Sequence, residues 1–321
     1  MVGGAALVAA TPGSAQDAHY WTLQYGPRSS LLGGAVIGSV DDVSATFYNP
    51  GAVSLASDLA FAVSTDVFEY SVVSLEDGGG NGVDLGTAKT GLRPSFVAGT
   101  ITRSLFGGEG ILAYSALTRS RGTQDLAGAV FLTADEIPPE AGLDDAVGSV
   151  DFTGRFNDFW GGLSYSHGLG EHFGLGVTWY GAVRSQNRQQ QSIAQFVDTD
   201  GSGRTEIDNA SGKYTDIRTL FKFGASFRAG SISGGATLTT PSIHISGNGE
   251  LRVNQSAIGA DTTALLAGIQ TDLPAEYRSP LSIGGGLAWR VGPARVHGSL
   301  EWFDSVDQYV VIQGDSLYAQ E

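Results

Sequence analysis

The sequence predicts an all-β fold, an antiparallel transmembrane β-barrel, and three observations carry that prediction. Apolar and polar residues alternate with a period of two over long stretches. Short and long connections alternate along the chain. Charged residues make up only 16% of the 321 residues, yet the mean hydropathy is +0.00. A soluble domain of this size carries about a quarter charged residues. Strands with one oily flank and one wet flank produce the balance seen here.

The alternation is clearest in four places. In 173–183, Phe173, Leu175, Val177, Trp179 and Val183 share one face, while Gly174, Gly176, Thr178, Tyr180 and Ala182 take the other, which continues to Arg184. In 217–228, Ile217, Phe221, Phe223, Ala225 and Phe227 oppose Arg218, Lys222, Ser226 and Arg228. Leu281, Ile283, Leu287, Trp289 and Val291 oppose Ser282, Gly284, Gly286 and Arg290; Val296, Leu300 and Trp302 oppose Arg295, His297, Ser299 and Glu301. A helix would scatter these apolar residues around its cylinder, because it repeats every 3.6 residues or so.

On this basis strands are expected at 58–75, 92–105, 110–121, 150–168, 172–187, 212–229, 231–245, 278–291 and 294–306. Short turns fall near 106–109, 168–172, 229–231 and 291–293, and long polar links near 76–91, 122–150, 188–214 and 246–277. Outer-membrane barrels segregate their connections in this way, with short turns on the periplasmic side and long loops outside. Nine strands would leave an open edge in lipid, where each unpaired backbone group costs several kcal/mol. Further strands are therefore expected beyond this chain, and Val310–Glu321 could begin the next one. Trp289 and Phe227 near short turns, with Trp302 toward the opposite end, fit either interfacial girdles or ordinary cross-strand packing.

The apolar stretch Val2–Ala10, followed by Thr11-Pro12-Gly13-Ser14-Ala15, reads as the end of a secretory signal peptide that lacks its basic start. The chain has no cysteine, which excludes disulfides, thiolate nucleophiles and Cys-ligated metals. A net charge of -15 argues against a phosphate-binding surface, so no nucleic-acid partner is expected. No apolar run approaches the roughly 18–20 residues that a spanning helix needs.

Residues 31–55 do not alternate. They run from a Gly/Ala-rich stretch, Leu31 to Gly38, through the paired Asp41-Asp42 to Phe47-Tyr48-Asn49-Pro50-Gly51. This resembles the N-terminal region of the FadL/TodX outer-membrane transport family, with Gly51 where the family's Asn-Pro-Ala motif has alanine. The resemblance extends to Thr240-Pro241-Ser242-Ile243 with Ser246–Glu250, and to Leu273-Pro274-Ala275-Glu276-Tyr277. It implies a 14-stranded barrel whose N-terminal segment folds inside as a hatch. The organisation expected is a signal-peptide remnant at 1–15, an arm and hatch at 16–57, and an incomplete barrel with its loops at 58–321. Small residues suit packing against a wall, and Pro50 fixes backbone direction without an amide donor. Asp41 and Asp42 could pair with lumenal Arg or Lys.

The resemblance implies passive uptake of hydrophobic compounds, long-chain fatty acids or aromatic hydrocarbons. The implied route is a groove among outer loops, a lumenal pocket and a lateral exit gated by the hatch. It implies no cofactor and no enzymatic activity. The implied partners are a hydrophobic small molecule and the lipid and lipopolysaccharide of a bacterial outer membrane, with the protein a monomer. A FadL-like barrel that instead binds or shuttles a protein in secretion or surface attachment is the alternative. Apolar loop candidates for the groove are Leu126, Val130, Phe131, Leu132 and Ile137, and Ile258, Leu265, Leu266 and Ile269 in a second link of possible helical character. Arg218 and Lys222, with Arg184, Arg228 and Arg290, face inward and could meet a carboxylate.

Asp198-Thr199-Asp200-Gly201-Ser202-Gly203 resembles the opening of an EF-hand calcium loop, with Asp198, Asp200 and Ser202 as its oxygen donors. Thr205 and Asn209 depart from that pattern, and a polar turn between strands is the reading adopted. His19, His167, His172, His244 and His297 lack zinc-ligand spacing. The clusters Gly78–Gly80 and Gly284–Gly286 lack the strand–turn–helix setting of a phosphate loop.

Overall fold

The structure, a computed structural model, describes residues 23–80, 83–105, 110–133, 137, 142–259 and 263–315. The expected signal-peptide remnant, the first part of the arm and the turn at 106–109 lie outside the described residues. The strands are β1 (Ala62–Gly80), β2 (Val83–Leu105), β3 (Gly110–Thr133), β4 (Leu143–Leu169), β5 (Phe173–Asp198) and β6 (Gly203–Ala229). They continue as β7 (Ile232–Thr239), β8 (Ile243–Ile258), β9 (Thr263–Pro274), β10 (Ser282–Val291) and β11 (Ala294–Phe303).

All eleven belong to one antiparallel sheet that curls into a half-barrel. β6 pairs with β7 through 222–229 and with β8 through 205–219, while β7 pairs on with β10 and β8 with β9. β7 and β8 are thus two halves of one pass broken at Thr240–Ser242, and β9 and β10 are another broken at 275–281. The break is bridged where Ser242 N donates to Ser279 O at 3.2 Å.

Alternation sorts the two faces as the sequence implied. Phe173, Leu175, Trp179, Val183, Phe221, Phe223, Ile283, Leu300 and Trp302 are exposed on the convex side, and Tyr180, Ala182, Arg184, Arg218, Leu220 and Lys222 are buried on the concave side. Tight turns close one end, with Gly170, Gly230 and Gly292 at φ of 70°, 57° and 59°, a region that only glycine enters cheaply.

At the other end the strands run much further than expected. The long polar links at 76–91, 122–150, 188–214 and 246–277 are mostly strand: β3 pairs with β4 out to Thr133↔Asp145, and β5 with β6 out to Val197↔Gly203. The helical character considered for the link that holds Ile258 and Leu265 is overturned, since β8 and β9 form a hairpin there. The reason is physical. Where both flanks of a ribbon meet water, as in Gln189-Gln190-Gln191-Ser192, no apolar period remains to mark the strand, and only the ladder holds it. No described helix is long and apolar enough to cross a membrane.

Residues 23–61 lie within the curl. They carry two short helices, α1 (Pro27–Leu31) and α2 (Ala45–Tyr48), and a 3₁₀ turn at Pro50–Leu55. The main apolar core lies between this segment and the wall: Tyr25, Val36, Val43, Phe47 and Val53 pack with Phe96, Leu117, Trp160, Tyr180 and Leu220.

Candidate functional site

The N-terminal segment is fastened to the wall by backbone contact that glycines permit. A side chain on Gly176 or Gly224 would run into Pro50, Asn49 or Gly51, and one on Gly38 into the backbone of Gly286. Asn49 lies at the centre of this contact, fully buried. Its Nδ2 donates to Ile37 O and to Ala225 O, both at 3.0 Å, and its Oδ1 accepts from Gly51 N at 3.1 Å. One side chain therefore joins two parts of the segment to β6. On β5, Thr178 Oγ1 and Tyr180 Oη both donate to Thr46 O at 2.9 Å. Nearer the short turns, Arg228 donates to Leu55 O, Val40 O and Asp41 Oδ1. Burial pushes the Asp41 carboxyl up, but the Ser57 amide and hydroxyl and the Arg228 guanidinium outweigh it and hold the group below its ordinary range.

Above the segment lies a small enclosed cavity of about 40 Å³. Phe47 forms its floor, Trp160 and Leu220 its walls, and Tyr277 and Pro280 its roof, where the broken β9–β10 pass turns inward. Lys222 and Glu301 bring charge into it. The Lys222 ammonium is 4.8 Å from the centre of the Phe47 ring, and among the described residues Lys222 forms no ion pair. A buried ammonium is costly, and the aromatic face of Phe47 and the Glu301 carboxylate in the same cavity offset part of that cost.

Arg218, next but one along β6 from Leu220, is differently placed. Its Nη2 lies 2.6 Å from Asp158 Oδ2, its Nη1 3.4 Å from Asp216 Oδ2, and His244 Nδ1 approaches Asp216 Oδ1 at 2.8 Å. The Tyr277 ring covers both Arg218 and Arg184, at 4.9 and 4.0 Å from their guanidinium carbons. This network fixes β4, β6 and the roof relative to one another, and it leaves Lys222 as the inward cation of β6 that faces the cavity.

The β2–β3 ladder has a window beside the cavity: the strands pair at Gly86↔Ala127 and again from Phe96↔Leu117 to Leu105↔Gly110, and among the described residues no pairs join 87–95 to 118–126. At the lower edge of this window β3 carries a bulge: Thr118 pairs with Phe159 and Ser120 with Asp158, so Arg119 is the extra residue. The Arg119 guanidinium lies 5.6 Å from the Phe47 ring and 5.7 Å from the Trp160 ring. Tyr25 Oη donates to the Thr118 carbonyl at 2.7 Å, and the Tyr25 ring meets Phe47 edge-on at 4.6 Å. Burial pushes the Tyr25 hydroxyl up, so it stays protonated and remains a donor. A cleft of about 820 Å³ borders the window, lined by Phe96 and Leu117 and also by Phe159 and Lys213 from the opposite face.

Of the residues singled out in the sequence, Phe47, Tyr48, Asn49, Pro50 and Gly51 all lie in the buried N-terminal segment, and Lys222 joins them at the cavity. The groove candidates are not brought together. Phe131 and Leu132 lie near the end of β3, and Leu265, Leu266 and Ile269 lie on β9, with β4, β5, β6 and β8 between. They also point to different sides, because Phe131, Leu265 and Ile269 are exposed while their neighbours Leu132 and Leu266 lie on the opposite flank of the ribbon. Asp198, Asp200 and Ser202 form the tip of the β5–β6 hairpin, where Ser202 N donates to Asp200 Oδ1 at 2.8 Å and Ser202 Oγ to Asp198 Oδ2 at 3.2 Å. The Ser202 hydroxyl and amide hold the Asp200 carboxyl below its ordinary range, and no group of three potential metal-ligating residues occurs among the described residues. Sequence reasoning missed Tyr25, Arg119, Trp160 and Tyr277.

Compared with family models, with curated proteins and with solved structures, the chain matches none of them.

Proposed function

We propose that the chain forms part of an outer-membrane channel for passive uptake of hydrophobic compounds, with the N-terminal segment as the hatch that gates a lateral exit. The observation that carries this reading is the Tyr25–Phe47 pair. Phe47 floors the cavity while Tyr25, in contact with it, donates to the Thr118 carbonyl at the window. One movement of the segment would therefore open the cavity and free the window together. A cavity of about 40 Å³ holds a few waters and no acyl chain, so passage of a ligand requires such a movement. The broad exposed apolar band on the convex face supports a lipid setting, since soluble monomers rarely leave a contiguous apolar patch larger than a few hundred Å². On this reading long-chain acids are favoured over neutral hydrocarbons, because the Lys222 ammonium faces the cavity and forms no salt bridge among the described residues.

The absence of cysteine makes a locking test clean. Ser54 N donates to Ser166 Oγ of β4 at 3.1 Å, so Ser54→Cys with Ser166→Cys would tie the segment to the wall. Oxidised protein in liposomes is expected to pass a fluorescent long-chain fatty acid at less than a tenth of the reduced rate. Equal rates in the two redox states would remove the gating role.

A further inference from the structure

Basic residues are scarce in this chain, 18 of 321, yet several gather at the short-turn end of the concave face. Arg290 of β10 and Arg295 of β11 form a direct cross-strand pair. Both take the inner parity of their strands, in register with the buried Ser282 and Ala288. Like charges directly opposite on an antiparallel pair repel, and here no acid on either strand lies next to them on that face. The neighbours are Ala288, His297 and, on β7, Ser233, which accepts from Arg295 Nη2 at 2.6 Å.

Arg28 of α1 and Arg228 of β6 also lie close enough to act on Arg295, as does the carboxylate of Asp41. Asp41 is already held by Arg228 and by the amide and hydroxyl of Ser57. A second, independent observation points the same way: Arg295 Nε is buried and has no hydrogen-bond partner. A guanidinium presents its donors as a planar fork that matches a carboxylate or a phosphate.

We propose that Arg290, Arg295 and Arg28 form an anion site on the inner face at the short-turn end, which takes the carboxylate or phosphate of an amphiphile head group. It is distinct from the cavity above Phe47 and does not depend on transport. An anion there relieves the repulsion within the pair and supplies the acceptor that Arg295 Nε lacks. The head group has two sources, an acid free in the lumen and an anionic phospholipid of the inner leaflet.

The test uses the full chain in nanodiscs of neutral phosphatidylcholine, with inorganic phosphate and octanoate titrated by calorimetry. A parallel arm places the protein in mixed phosphatidylglycerol nanodiscs and reads lipid retained by native mass spectrometry. The variants are Arg290→Gln with Arg295→Gln, and Arg290→Lys with Arg295→Lys, each checked for a folded barrel by heat-modifiable gel mobility. Saturable phosphate or octanoate binding that the Gln pair weakens at least tenfold supports a site for free anions, and the Lys pair should fall between. Phosphatidylglycerol retention lost in the Gln pair, without octanoate binding, supports the lipid as source. Binding in neither arm, or binding equal in the wild-type and Gln proteins, overturns the proposal. Should the Gln pair not fold, Arg28→Gln gives the same readout from outside the sheet, with a loss of at least threefold expected and an unchanged affinity overturning the site. None of these readouts involves flux, so the transport reading stands or falls separately.

Discussion

The Tyr25 hydroxyl donates to the carbonyl of Thr118 at 2.7 Å, next to the Phe96↔Leu117 pair beyond which, among the described residues, the β2–β3 ladder is interrupted. A backbone carbonyl at the edge of a gap in the ladder needs a donor, and the N-terminal segment supplies one. Leaving such a group unmet costs roughly 1–3 kcal/mol. Tyr25→Phe keeps the ring contacts with Phe47 and Phe96 and removes only this bond. The expected result is a looser segment, seen as faster amide exchange over 23–30 and a raised basal flux of the fatty-acid probe. Unchanged exchange there would show that the ring alone holds the arm.

Gly224 brings β6 against Asn49 and Gly51 so closely that a Cβ would need space held by their backbone and amide groups. Gly224→Ala therefore forces the segment outward or breaks the Asn49 bonds to Ala225 O and Ile37 O. An overpacked contact of this kind costs about 1–3 kcal/mol. The variant should fold its wall normally but release the segment to limited proteolysis near Asn49. Gly181→Ala, on the open convex side with nothing near its Cβ position, serves as the neutral comparison.

These two residues also mark what could be read in the sequence and what could not. The strand faces were legible at Phe173–Val183 because one flank of that wall is exposed and the other packs on the N-terminal segment, which writes a period of two. Residues 31–55 stood apart in the sequence because they do not alternate, and they fold as the buried segment. Gly174 and Gly176 were placed on the right face and Gly224 was not singled out, and the use of all three as a platform for another backbone was not seen. The available signal was glycine recurring at inward positions of neighbouring strands. The bulge at Arg119 and the window above it leave no trace in composition, since both depend on pairing between β2, β3 and β4. Tyr277 read as an approach to a strand, because nothing local shows that the chain after Pro274 turns inward over Arg184 and Arg218. The extended hairpins were missed where polar residues occupy both flanks.

Arg218 bridges two carboxylates, Asp158 and Asp216, with no exposure to solvent. Arg218→Met leaves both acids buried without their cation, a change that typically costs about 3–5 kcal/mol. The thermal midpoint of the detergent-solubilised protein should fall sharply. Adding Asp158→Asn and Asp216→Asn removes the stranded charge and should recover most of the loss. A triple variant no more stable than Arg218→Met would show that packing under Tyr277, and not charge, holds this part of the wall.

Asp41 sets a pH limit on the docking of the segment. Its carboxyl is held below the ordinary value of 3.8 in the folded protein. A depressed folded value means that the contribution is complete above the unfolded pKa and is lost as pH falls through the folded one. The Asp41–Arg228 contact should therefore persist at pH 5 and weaken only in acid stronger than the usual carboxylate range. Amide exchange over 38–58 is expected to be flat from pH 7 to 5, after correction for intrinsic rates, and to rise below pH 4. Asp41→Asn should show the loss of protection at every pH, and a wild-type transition well above the carboxylate range would show that a group other than Asp41 sets the limit.

Phe223 tests the environment of the convex face. It is 47% exposed on β6, with Phe221 stacked beside it and Leu238 opposite on β7. In water, exchanging an exposed phenylalanine for arginine would cost little, and solubility would improve. In the hydrocarbon of a bilayer the same exchange costs roughly 2–4 kcal/mol at the midplane of a barrel. The two settings predict opposite signs. Phe223→Arg should reduce insertion into lipid vesicles and the yield of heat-modifiable barrel, whereas Lys213→Ala, also on the outer parity but at the level where polar residues take over, should insert normally. Equal insertion of Phe223→Arg and wild type would mean that this face does not meet acyl chains, and the exposed apolar band would then require a protein partner.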